Sequence, residues 1–353
     1  MKKFWKYLRG NGLTYLIVIA AYVILQTLVS GGKISSAMSG QLVPICAYIV
    51  MAVSLNLTVG VLGELSLGHA SFMSVGAFTG VITAMALSNV IPSGGLRLAV
   101  AMIVGAFFAA VFGVIVGVPV LRLRGDYLAI VTLAFGEIIK NIINCLYVGI
   151  DAKGLHLSVT NAESMGMAAD GKVILNGPMG AVGVTKLSTF TAGFVLVMIC
   201  LIVVLNLINS RTGRAVMAIR DNVIAAESVG IPITRYKLMA FVISASLAGA
   251  AGALYAMNYS TVVATKFNFN TSILVLVFVV LGGLGNIRGS IIAAAVLTIL
   301  PELLREFADY RMLVYAIVLI CVMLATNTEG AKRFWAVLRG KLTRHEAKEA
   351  KGE

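Results

Sequence analysis

The sequence predicts an all-α polytopic membrane protein of about ten transmembrane helices. Hydrophobic residues make up 59% of its 353 positions and charged residues only 12%. Mean hydropathy is +0.96, and the basic residues gather between apolar runs rather than on one face. A soluble domain carries roughly twice that charged fraction. The net charge of +13 therefore does not point to nucleic acid. Lys and Arg that flank apolar runs meet anionic lipid headgroups and orient the chain in a bilayer.

A bilayer core of about 30 Å takes about 20 helical residues to cross. By that ruler the candidate spans are 13–29, 40–60, 69–88, 97–119, 126–148, 188–208, 238–258, 271–285, 289–303 and 312–326. Before the first, segment 1–12 carries Lys2, Lys3, Lys6 and Arg9. The apolar run that follows is longer than a signal-peptide core and lacks an A-x-A site, so a retained helix is expected. The transmembrane domain is then 13–326, with a basic tail at 327–353. With the N-terminus inside, 19 of the 28 Lys and Arg residues fall in inside segments and 8 outside, with Lys140 alone within a span. That bias matches ten spans with both termini cytoplasmic.

Cys46, Cys145, Cys200 and Cys321 lie in or beside apolar runs without metal-ligand or CxxC spacing, and read as packing residues. The three histidines are too scattered for a metal site. Segment 149–187 is the one long external loop, holding Asp151, Asn161, Asp170, Asn176 and a Gly177-Pro-Met-Gly180 turn signal without strong periodicity. Loops of this length are usually functional, and a surface for an external partner is expected.

On the cytoplasmic side the largest hydrophilic segment is 209–237. Arg214 to Val229 reads as one short helix with small and apolar positions at Ala215, Ala218, Ile219, Ala225, Ala226 and Val229. Gly230 suits its C-cap, and Pro232 prevents continuation. Such a helix fits a partner's groove. It equally fits a membrane surface with its arginines on lipid phosphates.

Two glycine clusters, Gly60, Gly63 and Gly68, then Gly282, Gly283, Gly285 and Gly289, each join two apolar runs on the cytoplasmic side. They are either broken helices beside a pathway or tight turns with small-residue packing. Glu137 lies near the middle of the fifth span with Lys140 three residues on. A charge there costs at least about 2.5–3.5 kcal/mol, so a local pair, a pathway or a subunit interface must compensate. Glu64 and His69 read as interfacial groups. No G-x-x-x-x-G-K-[ST] motif occurs, and no hydrophilic stretch is long enough for an ATPase domain.

The stretch GRAVMAIRDNVIAAESVGI followed by KLMAFVISASLAGAAGALYA, within Arg211 to Ala256, closely resembles the permeases of branched-chain amino-acid ABC importers, the LivM-type subunits in particular. Three further stretches agree in order: Leu55-Asn-Leu through Gly60 and Gly63 to Ser66-Leu-Gly-His-Ala70; Leu123-Arg-Gly-Asp-Tyr-Leu128 with Thr132-Leu-Ala-Phe-Gly-Glu-Ile-Ile139; and Val280-Leu-Gly-Gly-Leu-Gly285. The resemblance spans about 40 to 330 and implies a type II-like importer permease fold in a bacterial inner or plasma membrane. It implies a heterodimer with a homologous permease, two ATPases on the cytoplasmic face, and an extracytoplasmic binding protein. This chain would bind no cofactor, and ATP would be used by its partners.

The short cytoplasmic helix corresponds to the coupling helix of that family. Ala225, Ala226 and Gly230 match its Ala-Ala-x-x-x-Gly core, and Arg214 and Arg220 stand beside it as further ATPase-coupling candidates. The glutamate expected before the alanines is absent, since 223 and 224 are Val and Ile. The solutes implied are leucine, isoleucine and valine, with urea, short amides and other amino acids served by related permeases. An ion-gradient-driven carrier is the rival reading, and it would have no use for a docking helix.

Overall fold

The computed structural model describes residues 2–303 except 33–34, 89, 122, 124, 152–153, 162 and 168–170, together with 316, 317 and 320. Apart from 316, 317 and 320, the expected tenth span lies outside the described residues, as do the basic tail, Arg122 and Arg124. Residues up to Thr298 form one compact unit, and those from Ile299 belong to a second.

Three helices form the buried centre: α2 (Ser36–Asn56), α3 (His69–Ala86) and α9 (Ile233–Ala256). Around them stand α1 (Lys2–Ser30), α4 (Gly94–Val120), α5 (Asp126–Asn144), α6 (Phe190–Asn209), α10 (Phe269–Gly282) and α11 (Ile287–Leu303). Seven apolar helical stretches among the described residues are long enough to cross a membrane. The apolar part of α1, Thr14–Ser30, and the 17-residue α11 are shorter.

The α4 sequence shows why the bundle closes. Ala101, Gly105, Ala109, Gly113 and Gly117 recur every four residues and are all buried, whereas Ile103, Phe107, Val111, Ile115 and Val118 face outward. Lipid is as apolar as Leu, so packing between membrane helices rests on small residues that let backbones approach. That approach is seen where α3 crosses α9. A Cβ on Gly76 would overlap the backbone of Gly249, and one on Gly252 would overlap the Met73 carbonyl. On the other side, Tyr22 of α1 stacks on Phe194 of α6 with ring centroids 4.0 Å apart. Arg288 of α11 donates to the Thr14 hydroxyl at 2.7 Å.

One end of the bundle carries a sheet that the sequence reading missed. Strands β1 (Tyr147–Asp151), β2 (Gly154–Ser158), β3 (Lys172–Asn176), β4 (Ala181–Val182) and β5 (Thr261–Val262) lie in the order β2-β1-β3-β4-β5, all antiparallel. The β1–β2 hairpin is held by Asp151, whose carboxylate accepts from the Gly154 amide at 3.1 Å and lies 3.1 Å from His156. The described part of segment 149–187 is thus a small folded layer rather than an aperiodic loop, and β5 joins it from the α9–α10 connection. The fifth span stops at Asn144, because β1 begins three residues later.

Cys46 and Cys200 are buried as expected, whereas Cys145, one residue past α5, is exposed.

Candidate functional site

The opposite end holds α7 (Arg211–Asp221) and α8 (Val223–Ser228), two helices where one was expected. Asn222 makes the break. Its backbone is extended, with φ −156° and ψ 107°, and its side-chain oxygen caps α8 by accepting from the Ala225 amide at 3.0 Å. Asn is among the best N-cap residues, so a second helix start competes with continuation. Ser210 caps α7 in the same way through the Gly213 amide at 3.1 Å.

The end of α8 follows the glycine expectation. Gly230 has φ +80°, its amide donates to Glu227 O at 2.9 Å, and the Ile231 amide donates to Ala226 O at 3.1 Å. This is a Schellman closure, which favours glycine at the left-handed position.

The two helices face different ways. Val216 of α7 is buried in a cluster with Leu57, Val61, Leu62 and Ala240, and Ile219 beside it is fully buried. Each such burial is worth about 1.5–3 kcal/mol. On α8 only Ala226 is buried. Ile224, Ala225 and Val229 stand exposed, Ile224 at 79% and Val229 at 75%. Arg214 is exposed and donates to Asn209 O at 3.3 Å. A cleft of about 790 Å³ runs between Leu62–Leu65 and α7–α8, with Arg220, Glu227 and Lys237 among its walls.

Arg220 links this surface to the interior. It donates to Gly60 O at 2.9 Å and pairs with Asp221 at 2.9 Å. Gly60 lies in a π-turn, Leu57–Leu62, that continues α2 and closes with the Glu64 amide donating to Thr58 O at 3.1 Å. Gly63 follows at φ +81°, and a Cβ there would sit 2.6 Å from Arg220 Cγ.

The two glycine clusters, read from sequence as separate hairpins, meet here. A Cβ on Gly60 would overlap the backbone of Gly285. Gly283 and Gly285 make the α10–α11 turn at φ +92° and +78°, while Gly282 lies against the backbone of Gly289 and Ser290. Asn56, fully buried, sits between the clusters: it accepts from the Gly285 amide at 2.8 Å and donates to the Ser290 hydroxyl at 2.8 Å.

Gly60, Gly63, Gly285 and Arg220 are therefore one site, with Gly282 and Gly283 forming its far wall. Gly68 is not part of it and packs against the Thr132 carbonyl of α5. Asn56 and Ser290 were missed. The signal available was a lone amide inside an apolar span, which must find partners when buried.

Two neighbours correct the interfacial reading. Glu64 is paired with Lys237, and both side chains are largely buried. His69 is 2% exposed and shares a 2.9 Å hydrogen bond with Ser54. Glu137 is on a different face altogether. It pairs with Lys140 along α5 as the spacing suggested, and its side chain is 40% exposed. Among the described residues no group of three His, Cys, Asp or Glu is placed to hold a metal.

A shell of membrane-length apolar helices around three buried ones defines a multi-pass membrane protein. A family model described as branched-chain amino acid transport system / permease component matches residues 37–323, and the chain belongs to that family. It is 35% identical over 297 residues to the high-affinity branched-chain amino acid transport system permease protein LivM of Escherichia coli K12, covering 78% of this chain and 66% of that protein. It is 34% identical over 346 residues to the LivM of Salmonella typhimurium, covering 88% and 72%. A shorter similarity, 32% over 121 residues, joins it to the permease protein LivH of Escherichia coli K12, covering 34% of this chain and 39% of that one. No solved structure matches it.

Proposed function

We propose that this chain is a permease subunit of an ATP-binding-cassette importer for branched-chain amino acids, in a bacterial inner or plasma membrane. It works beside a homologous permease, two separate ATPases that consume the ATP, and an extracytoplasmic binding protein. The α7–α8 end faces the cytoplasm, as do both termini, and the sheet faces outside. The observation that carries this reading is the contrast between α7 and α8. An anchored helix tied to the core, followed by a short helix with Ile224, Ala225 and Val229 exposed, suits docking in a partner's groove. A gradient-driven carrier has no use for such a device.

The α5 side is the one that meets the second permease or the pathway. The outward face of α4 is wholly apolar, but that of α5 carries Asn141 and the Glu137–Lys140 pair among Tyr127, Ile130 and Ile138. A carboxylate facing lipid is costly, so this face lies against the second permease or a water-filled path.

Reconstitution of the chain with its partner permease, ATPases and binding protein tests the function. ATP-dependent leucine uptake, competed by isoleucine and valine, is expected. Uptake driven by an ion gradient without ATP would overturn it, and competition by urea or amides instead would overturn the substrate.

A further inference from the structure

Asn56 bridges two elements that are far apart in sequence, and its amide orientation is decided by chemistry. The Gly285 amide can only donate, so Asn56 Oδ1 faces it at 2.8 Å. The Ser290 hydroxyl donates to Asn286 O at 3.3 Å, leaving its lone pairs to accept from Asn56 Nδ2 at 2.8 Å. Four residues along the chain, the Gly60 carbonyl accepts from Arg220 at 2.9 Å. Helix α7 is therefore joined to the π-turn by one hydrogen bond, and Asn56, the last residue of α2 just before that turn, is joined to the α10–α11 hairpin by two, with the glycine contact excluding anything between them. Single π-turns recur at functional sites.

Resting on the importer reading above, we infer that Asn56 is the positioning residue that carries α7 movement into the α10–α11 hairpin. Arg220 pulls on the π-turn through the Gly60 carbonyl. Asn56 then draws the Gly285 amide and Ser290 along, so the hairpin moves with α7. Without Asn56 the π-turn still moves, but it slides past the hairpin.

The test is uptake per ATP hydrolysed by the reconstituted complex, with Asn56→Ala and Ser290→Ala. Ser290→Ala removes one bond with little change in volume, which keeps the test informative should Asn56→Ala assemble poorly. Asn56→Ala is expected to keep assembly and ATP hydrolysis while uptake per ATP falls about tenfold, as loss of its two buried hydrogen bonds would give. Ser290→Ala should show a smaller fall in the same ratio. Because the Arg220 bond lies in series with the Asn56 pair of bonds, Arg220→Ala added to Asn56→Ala should reduce the ratio no further. A merely structural role lowers assembly, hydrolysis and uptake together and leaves the ratio unchanged. That outcome, or an unchanged ratio in Ser290→Ala, overturns the inference alone. A wild-type complex without ATP-driven uptake overturns the importer reading with it.

Discussion

Lys237, in the second turn of α9, donates to the carboxylate of Glu64, just beyond the π-turn and 173 positions away in sequence. Both side chains are largely buried at the cleft, so each charge depends on the other. Removing one partner of such a pair costs far more than removing both, because an uncompensated charge is left behind. Lys237→Met or Glu64→Met should each destabilise the protein by about 3 kcal/mol, and the double Met variant should recover most of the loss. Thermal unfolding of the purified protein in detergent checks this. A double variant that loses the sum of the two single losses would mean that the pair is not coupled.

The backbone crossing of α3 and α9 sets a second expectation. Gly76→Ala drives a methyl into Gly249 and should cost about 1–3 kcal/mol, or prevent accumulation of the folded protein. Gly95→Ala is the control, since nothing lies within 4 Å of its Cβ position. It should be neutral, or more stable by up to about 1 kcal/mol through helix propensity. The two variants are compared by melting temperature and membrane yield.

On α8, adjacent alanines should behave oppositely. Ala225 is exposed and Ala226 is 3% exposed. Ala225→Glu should leave the permease folded while ATPase binding weakens by about tenfold, the change expected for an interface centre. Ala226→Glu buries an unpaired charge and should lower stability itself, by several kcal/mol. Co-purification of the ATPases, set against the melting temperature of the permease alone, separates the two. Normal docking by Ala225→Glu would show that α8 is not the contact.

Along α5, Glu137→Gln and Lys140→Met should each lower leucine uptake about tenfold, equivalent to about 1.4 kcal/mol on the limiting barrier, with ATPase binding intact. Full uptake by both variants would remove this face from the pathway.

What the sequence made legible follows from the range of each interaction. Spans were readable because apolar runs are local, and the ends of α2, α4 and α6 fall within a few residues of expectation. Gly230 was readable because a C-cap involves neighbours only. The Asn222 break was local too, but capping by one side chain competes closely with helix continuation and leaves no periodic trace. The sheet escaped because its strands are two to five residues long, and β5 begins 79 positions after β4 ends. The meeting of Gly60 with Gly285, and of Glu64 with Lys237, joins residues that only the fold brings together. Both glycine clusters were visible, but nothing in either names its partner.

The five-stranded sheet also bears on leverage. Because β5 stitches the α9–α10 connection to the layer between α5 and α6, those helices are tied together at the sheet end. Helix α9 has 24 residues and is about 36 Å long, so a tilt of only about 5° around the stitched end displaces the α7–α8 end by about 3 Å. That is the length of one hydrogen bond, the same size as the links it would have to strain or carry.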